Sequence, residues 1–164
     1  MTQDRIDPAD FRALMGQFAT GVCVISVPGQ SPDEAALGMT VNSFVSVSLE
    51  PMLVSWSIQN SSTQFAAYTQ ADVFAVSILA QNQRDLARRF ASRGNAERKP
   101  EDFELGLGGL PVVKGSLGYL ECKRWSLYPA GDHTMIFGQV VGIEQAGGHS
   151  PLGFFGGEFC RIAD

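Results

Sequence analysis

The feature that most constrains this chain is its series of strand-length segments, β-branched or alternating in polarity, each closed by Gly, Pro, Asn, Asp or Ser. Residues 22–27 run as a continuous β-branched stretch, and residues 28–33 supply turn chemistry after it. Residues 37–41, 43–49 and 52–58 follow. The second of these alternates Val45, Val47 and Leu49 against Phe44, Ser46 and Ser48, and Glu50-Pro51 breaks it from the third. These three read as neighbouring antiparallel strands. Residues 73–79 are a further buried strand, residues 117–125 and 134–143 a long hairpin around a Pro129-Ala-Gly-Asp132 turn, and residues 151–162 a closing hairpin or strand.

Helical spacing interrupts this pattern three times. After Pro8, Phe11, Leu14, Met15 and Phe18 fall at i, i+3, i+4 and i+7, an amphipathic helix expected to pack against the sheet. Ser61-Ser62-Thr63 offers N-cap hydroxyls for a helix through Thr69. Between residues 82 and 92, Leu86 and Phe90 share a face, leaving Arg84, Arg88 and Arg89 to solvent. Residues 93–104 read as a polar connection. Six or seven strands with three short helices predict a mainly β fold, a β-barrel with helical insertions. The 164 residues suit a single domain spanning residues 1–164.

Composition excludes several function classes. With 45% hydrophobic and 18% charged residues the chain can build a core, so disorder, collagen and coiled coil fall away. Twelve basic residues against seventeen acidic ones give a net charge of -5, which offers nothing to polyanions, so no nucleic-acid partner is expected. No apolar run approaches the roughly 18 residues of a membrane span, and residues 1–10 lack a signal-peptide core. Cys23, Cys122 and Cys160 are odd in number and lack CxxC spacing, which points to a reduced, cytoplasmic protein without a zinc ribbon. Cys23 and Cys122 sit within strand patterns as core residues. Gly106-Leu-Gly108-Gly109 runs into Leu110-Pro111 without a flanking strand and helix, so it reads as a loop and not a dinucleotide fingerprint. P-loop, GxSxG and HExxH motifs are missing, and neither His133 nor His149 has ligand spacing to a metal-binding cluster.

What remains is a concentration of hydroxyl and amide residues. Thr40, Asn42 and Ser43 lie at the junction of two strands, where an unpaired buried polar group costs about 1–3 kcal/mol and so must bond backbone, water or ligand. Ser61, Ser62 and Thr63 combine hydroxyls with free N–H groups at a helix start, a plausible phosphate cradle. Turn and cap chemistry would use the same residues. A flat ligand with a polar edge, a polyol and a terminal phosphate would engage both segments, and that is the outline of FMN.

Several motifs in order narrow these alternatives: Phe11-Arg-Ala-Leu-Met-Gly-Gln-Phe-Ala-Thr-Gly-Val22, Gly38-Met-Thr-Val-Asn-Ser-Phe44, Ser46-Val-Ser-Leu-Glu-Pro51, Asp85-Leu-Ala-Arg-Arg-Phe90, Gly131-Asp-His133 and Pro151-Leu-Gly-Phe-Phe155. With them the chain resembles the short-chain flavin reductases, the reductase components of two-component flavin monooxygenases. The resemblance implies an FMN-binding split β-barrel of Greek-key type with short flanking helices. It implies that Thr40, Val41, Asn42 and Ser43 contact the isoalloxazine and ribityl chain, that Ser57, Ser61, Ser62 and Thr63 hold the phosphate, and that the helix end at Phe90 closes over the cofactor. His133 is implied to face the nicotinamide site, while from the residues alone it also reads as a turn histidine bonded to Asp132. The implied reaction moves a hydride from NADH or NADPH to FMN or FAD in a homodimer and supplies reduced flavin to a partner monooxygenase. Same-fold flavoproteins that reduce a corrinoid or quinone, or that only carry flavin, are the other readings. The chain departs from the family pattern at Gln59-Asn60, where many relatives carry Lys or Arg, and at Glu158, which replaces a frequent arginine.

Overall fold

The computed structural model describes residues 6–31, 34–92 and 99–163. Residues 1–5 of the polar N-terminus, 32–33 of the first turn and 93–98 of the polar connection lie outside them. In chain order the elements are α1 (Pro8–Met15), β1 (Thr20–Gly21), β2 (Cys23–Val27), β3 (Leu37–Val41), β4 (Val45–Leu49), β5 (Met52–Gln59), α2 (Phe65–Gln70) and β6 (Val73–Ile78). They continue as α3 (Arg84–Ala91), β7 (Phe103–Leu105), β8 (Pro111–Val113), β9 (Gly118–Ala130), β10 (His133–Gln145), β11 (Leu152–Phe155) and β12 (Glu158–Arg161).

Seven strands form one antiparallel sheet in the order β3-β2-β6-β9-β10-β5-β4. Side chains from β3 at one end of that order and β5 near the other enter the same core, with Trp56, Tyr68 and Phe74 at its centre. The sheet therefore curls around that core. Beyond the end of β3, in its connection to β4, Ser43 Oγ accepts a hydrogen bond from the Ser57 N–H of β5 at 3.1 Å. A second core holds Val22, Val24, Leu79, Ala87, Phe90, Phe103, Val113 and Leu152. Strand β2 contributes Cys23, Ile25 and Val27 to the first core and Val24 to the second. Burial on both faces explains its unbroken apolar sequence. In the first core Gly138 of β10 lies against Phe74, where an added Cβ would overlap the ring and stand 3.0 Å from the Cys122 Cβ. Gly138→Ala is expected to lower stability by about 1–3 kcal/mol through overpacking, read as a lower urea midpoint.

Several expectations need correction. The apolar stripe of α1 exists, and Asp7 caps the helix by accepting from the Ala9 N–H at 2.7 Å, but the helix buries none of its residues. Phe11, Leu14 and Met15, with Phe18 just beyond, are exposed, so the stripe does not pack on the sheet of its own chain. The Ser61–Thr63 stretch is a turn and not a helix start, because α2 begins only at Phe65. Arg89 is not free in solvent: it makes two hydrogen bonds to the Asp102 carboxylate, at 2.7 and 2.8 Å. The long hairpin turns at Gly131-Asp132 alone, with Pro129 and Ala130 still in β9. Part of the expected polar connection and glycine loop is also a hairpin, β7 with β8. Glu121, buried in β9, holds that hairpin's Gly106–Leu110 tip by accepting from the N–H groups of Gly108 at 2.6 Å and Leu110 at 3.1 Å. The glycines are needed there because a Cβ at either Gly106 or Gly108 would stand 2.7 Å from that carboxylate. Among the described residues no helix is long and apolar enough to cross a membrane.

Candidate functional site

The register of the sheet brings distant residues to one end of it. His133, the first residue of β10, pairs with Gln59, the last of β5, and the end of β3 is tied to β5 through Ser43 and Ser57. Together these elements surround a cleft of about 580 Å³ lined by residues 38–43, 57–59, 61–64 and 90–92 and by His133. That volume is within the ~300–1,000 Å³ of sites that take cofactor-sized ligands. Thr40, Val41, Asn42, Ser43, Ser57, Ser61, Ser62, Thr63, Phe90 and His133 all line it.

Their side chains are not equally available. Thr40 Oγ1 donates to the Ala87 carbonyl at 2.8 Å, which fixes β3 to α3. Val41 turns its side chain into the first core and leaves only backbone for the cleft. Asn42 is exposed at the end of the strand. Ser43 and Ser57 meet each other, so this wall presents mainly main-chain groups and short polar side chains held in place from behind. Phe90, at the helix end implied to close over a ligand, lines the cleft; it is 5% exposed and its ring packs on Phe103 at 5.5 Å between centroids. An added Cβ at Gly38 would stand 3.0 Å from the Phe90 ring, so a larger residue there would press on the Phe90 and Phe103 rings.

The polar corner is a turn closed by the Ser62 N–H on the Gln59 carbonyl at 2.9 Å, with the Gln64 N–H donating to Ser62 Oγ at 3.2 Å. Because α2 has only six residues and starts beyond this turn, the corner offers an anion the hydroxyls of Ser61, Ser62 and Thr63 and N–H groups of the turn, and no helix start. Across from it, His133 Nδ1 lies 2.7 Å from Asp132 Oδ1. The histidine is thus bonded in its turn, as one reading of the residues has it, and it also lines the cleft. The imidazole, by hydrogen bond and then by charge, holds the Asp132 carboxyl below its ordinary range. Among the described lining residues, His133 is the one ionisable side chain.

Groups outside the cleft do not compete for its chemistry. Burial pushes the thiols of Cys23 and Cys122 up to about 12, with the Glu121 charge adding to the effect at Cys122, so both remain protonated core residues. Glu158 is exposed at the start of β12 and does not line the cleft. Among the described residues no cluster of His, Cys, Asp and Glu could hold a metal. Sequence reasoning missed the role of Asn60, which depends on contacts with residues far away in the chain.

Comparisons with known proteins show the family and the fold. The family profile described as "Flavin reductase like domain" matches residues 15–163. The chain is 42% identical over 153 residues to the FMN reductase (NADH) SmoA of Agrobacterium fabrum, covering 93% of this chain and 85% of that protein. It is 33% identical over 159 residues to HsaB of Rhodococcus jostii, the reductase subunit of a flavin-dependent monooxygenase, covering 97% of this chain and 80% of that one. Its fold superposes with a TM-score of 0.86 on the NADH:FAD oxidoreductase SgcE6 of Streptomyces globisporus, solved with NAD and FAD fragments; identity is 36%, over 98% of this chain and 97% of the other.

Proposed function

Because this chain belongs to the flavin reductase like domain family, we propose that it is an NADH-dependent flavin reductase that hands reduced FMN or FAD to a separate monooxygenase. The observation that carries this reading is the meeting of residues 38–43, 57–59 and 61–64, the end of α3 and His133 in one cleft. SmoA and SgcE6, both named for NADH and a flavin, support the cofactors, and HsaB supports the partner. The chain is a single flavin-binding domain.

The cleft suits a flavin on chemical grounds. It has a volume of about 580 Å³, with a wall of backbone and short polar groups at residues 38–43 and a corner of hydroxyls at residues 61–63. When bound, the flavin supplies a hydride acceptor. The protein's work is then positioning, since two rings brought into contact at ~3–3.5 Å need little further help from side chains. Thr40, Val41, Asn42 and Ser43 hold the ring edge and ribityl chain, Ser57 supports that wall, and Ser61, Ser62 and Thr63 accommodate the phosphate. Phe90 keeps water from the buried side of the site. His133, its Nδ1 bound to Asp132, presents Nε2 to the nicotinamide.

The protein further acts as a homodimer. Strand β4 is an edge of the seven-stranded sheet, and its Val45, Val47 and Leu49 are exposed, as are Met52 of β5 and Trp125 and Tyr128 of β9. An apolar edge of this kind is a liability unless a second copy covers it. Three free cysteines are consistent with the reducing cytoplasm.

Purified protein should elute at twice the protomer mass and oxidise NADH only when FMN or FAD is added. Oxidation at the uncatalysed rate with either flavin would refute the reductase reading. Flavin fluorescence quenching without oxidation would leave a flavin carrier, and turnover only with a corrinoid or quinone would reassign the acceptor.

A further inference from the structure

Asn60 is not part of the cleft lining, yet it joins two of its walls. It follows Gln59, the β5 residue paired with His133, and precedes the hydroxyl turn at residues 61–63. Its N–H and its side-chain amide reach the turn between β9 and β10 and the first residues of β10. The Asn60 N–H donates to the Asp132 carbonyl at 2.9 Å, its side-chain amide donates to the Gly131 carbonyl at 3.4 Å, and its amide oxygen accepts from Thr134 Oγ1 at 2.8 Å. These partners lie on both sides of His133. Thr134 is 7% exposed, so water competes weakly for its hydroxyl. The arrangement needs a side chain that donates and accepts at once, which an amide does and a lysine or arginine does not.

We propose that Asn60 is a positioning residue that sets the distance between the phosphate-holding hydroxyls at residues 61–63 and the His133 imidazole. A flavin anchored in the corner is thereby kept in register with a nicotinamide presented at His133. The inference rests on the reductase reading. It also accounts for an uncharged residue beside the phosphate corner: the position serves as a clamp between two loops and not as a counter-charge.

The test uses the full chain and two measurements, FMN and riboflavin affinity by fluorescence quenching and steady-state NADH oxidation at saturating FMN. Asn60→Ala is expected to narrow the preference for FMN over riboflavin about tenfold and to lower kcat about tenfold, the scale of a small misplacement of reacting groups. Thr134→Val, which keeps the side-chain shape, should move both in the same direction by less, and the double variant should match Asn60→Ala alone because the two share one contact. Thr134→Ser, which keeps the donor, should restore both. Should Asn60→Ala fail to fold, Thr134→Val carries the comparison. A lower melting temperature with both measurements unchanged, or additive effects in the double variant, would overturn the inference. Wild-type protein that neither quenches flavin fluorescence nor oxidises NADH would instead overturn the reductase reading, so the two failures are distinct.

Discussion

Replacing Ser62 and Thr63 together by alanine is expected to weaken FMN binding by about 1–3 kcal/mol, roughly 5- to 150-fold, through lost hydrogen bonds to a charged phosphate. The effect should be large because α2 is short and begins beyond this turn, leaving hydroxyls as the corner's main offering. Ser62 has a second task, since its Oγ accepts from the Gln64 N–H and helps close the turn. Riboflavin separates the two contributions. If the hydroxyls hold the phosphate, riboflavin affinity stays near that of the wild type while FMN affinity falls. Equal losses for both ligands would mean that the turn itself collapsed, and unchanged FMN affinity would place the phosphate elsewhere. Fluorescence titration of each flavin reads all three results.

The second large effect belongs to His133. His133→Asn is expected to lower kcat/KM for NADH by roughly 10- to 100-fold, the scale of lost orientation at a reacting centre, with FMN affinity little changed. Asp132 orients the ring and stays ionised while it does so. Its folded-state pKa is held below the ordinary aspartate value, first by the hydrogen bond to His133 and then by charge. The support this contact gives is therefore present above the ordinary aspartate range and disappears only as pH falls through that lowered value. Across about pH 5 to 9 the carboxylate does not titrate. Asp132→Asn, which keeps the shape and removes the charge, should thus lower kcat/KM for NADH throughout that window. A deficit confined to acid pH, or a His133→Asn enzyme with normal NADH kinetics, would remove His133 from the nicotinamide site.

Much of the fold was legible where burial imposes a period. The segment at residues 37–41 coincides with β3, and 22–27, 52–58 and 73–79 differ from their strands by one residue at an end. The segment at residues 151–162, read as a hairpin or strand, is the hairpin β11–β12, and Gly156 and Gly157 both take positive φ, as a tight two-residue hairpin turn requires. Where packing reverses a local signal, reading failed. The α1 stripe predicts burial, but the helix buries none of its residues. The hydroxyls at residues 61–63 look like helix caps because serine and threonine serve caps and turns alike, and only the pairing of β5 with β10 decides between them. Strands β7 and β8 are three residues each, too short to reveal a period, and their hairpin depends on Glu121, which follows them in the chain. The site residues were found as separate segments; what sequence did not reveal was the amide that fastens them together.

Strand β2 lies between the two cores and feeds both. A wall shared by two rooms leaves neither able to fall alone, so loosening either side strips cover from the same five residues and weakens the other. The half built on Trp56, Tyr68 and Phe74 and the half built on α3 and β11 are accordingly expected to melt as one unit.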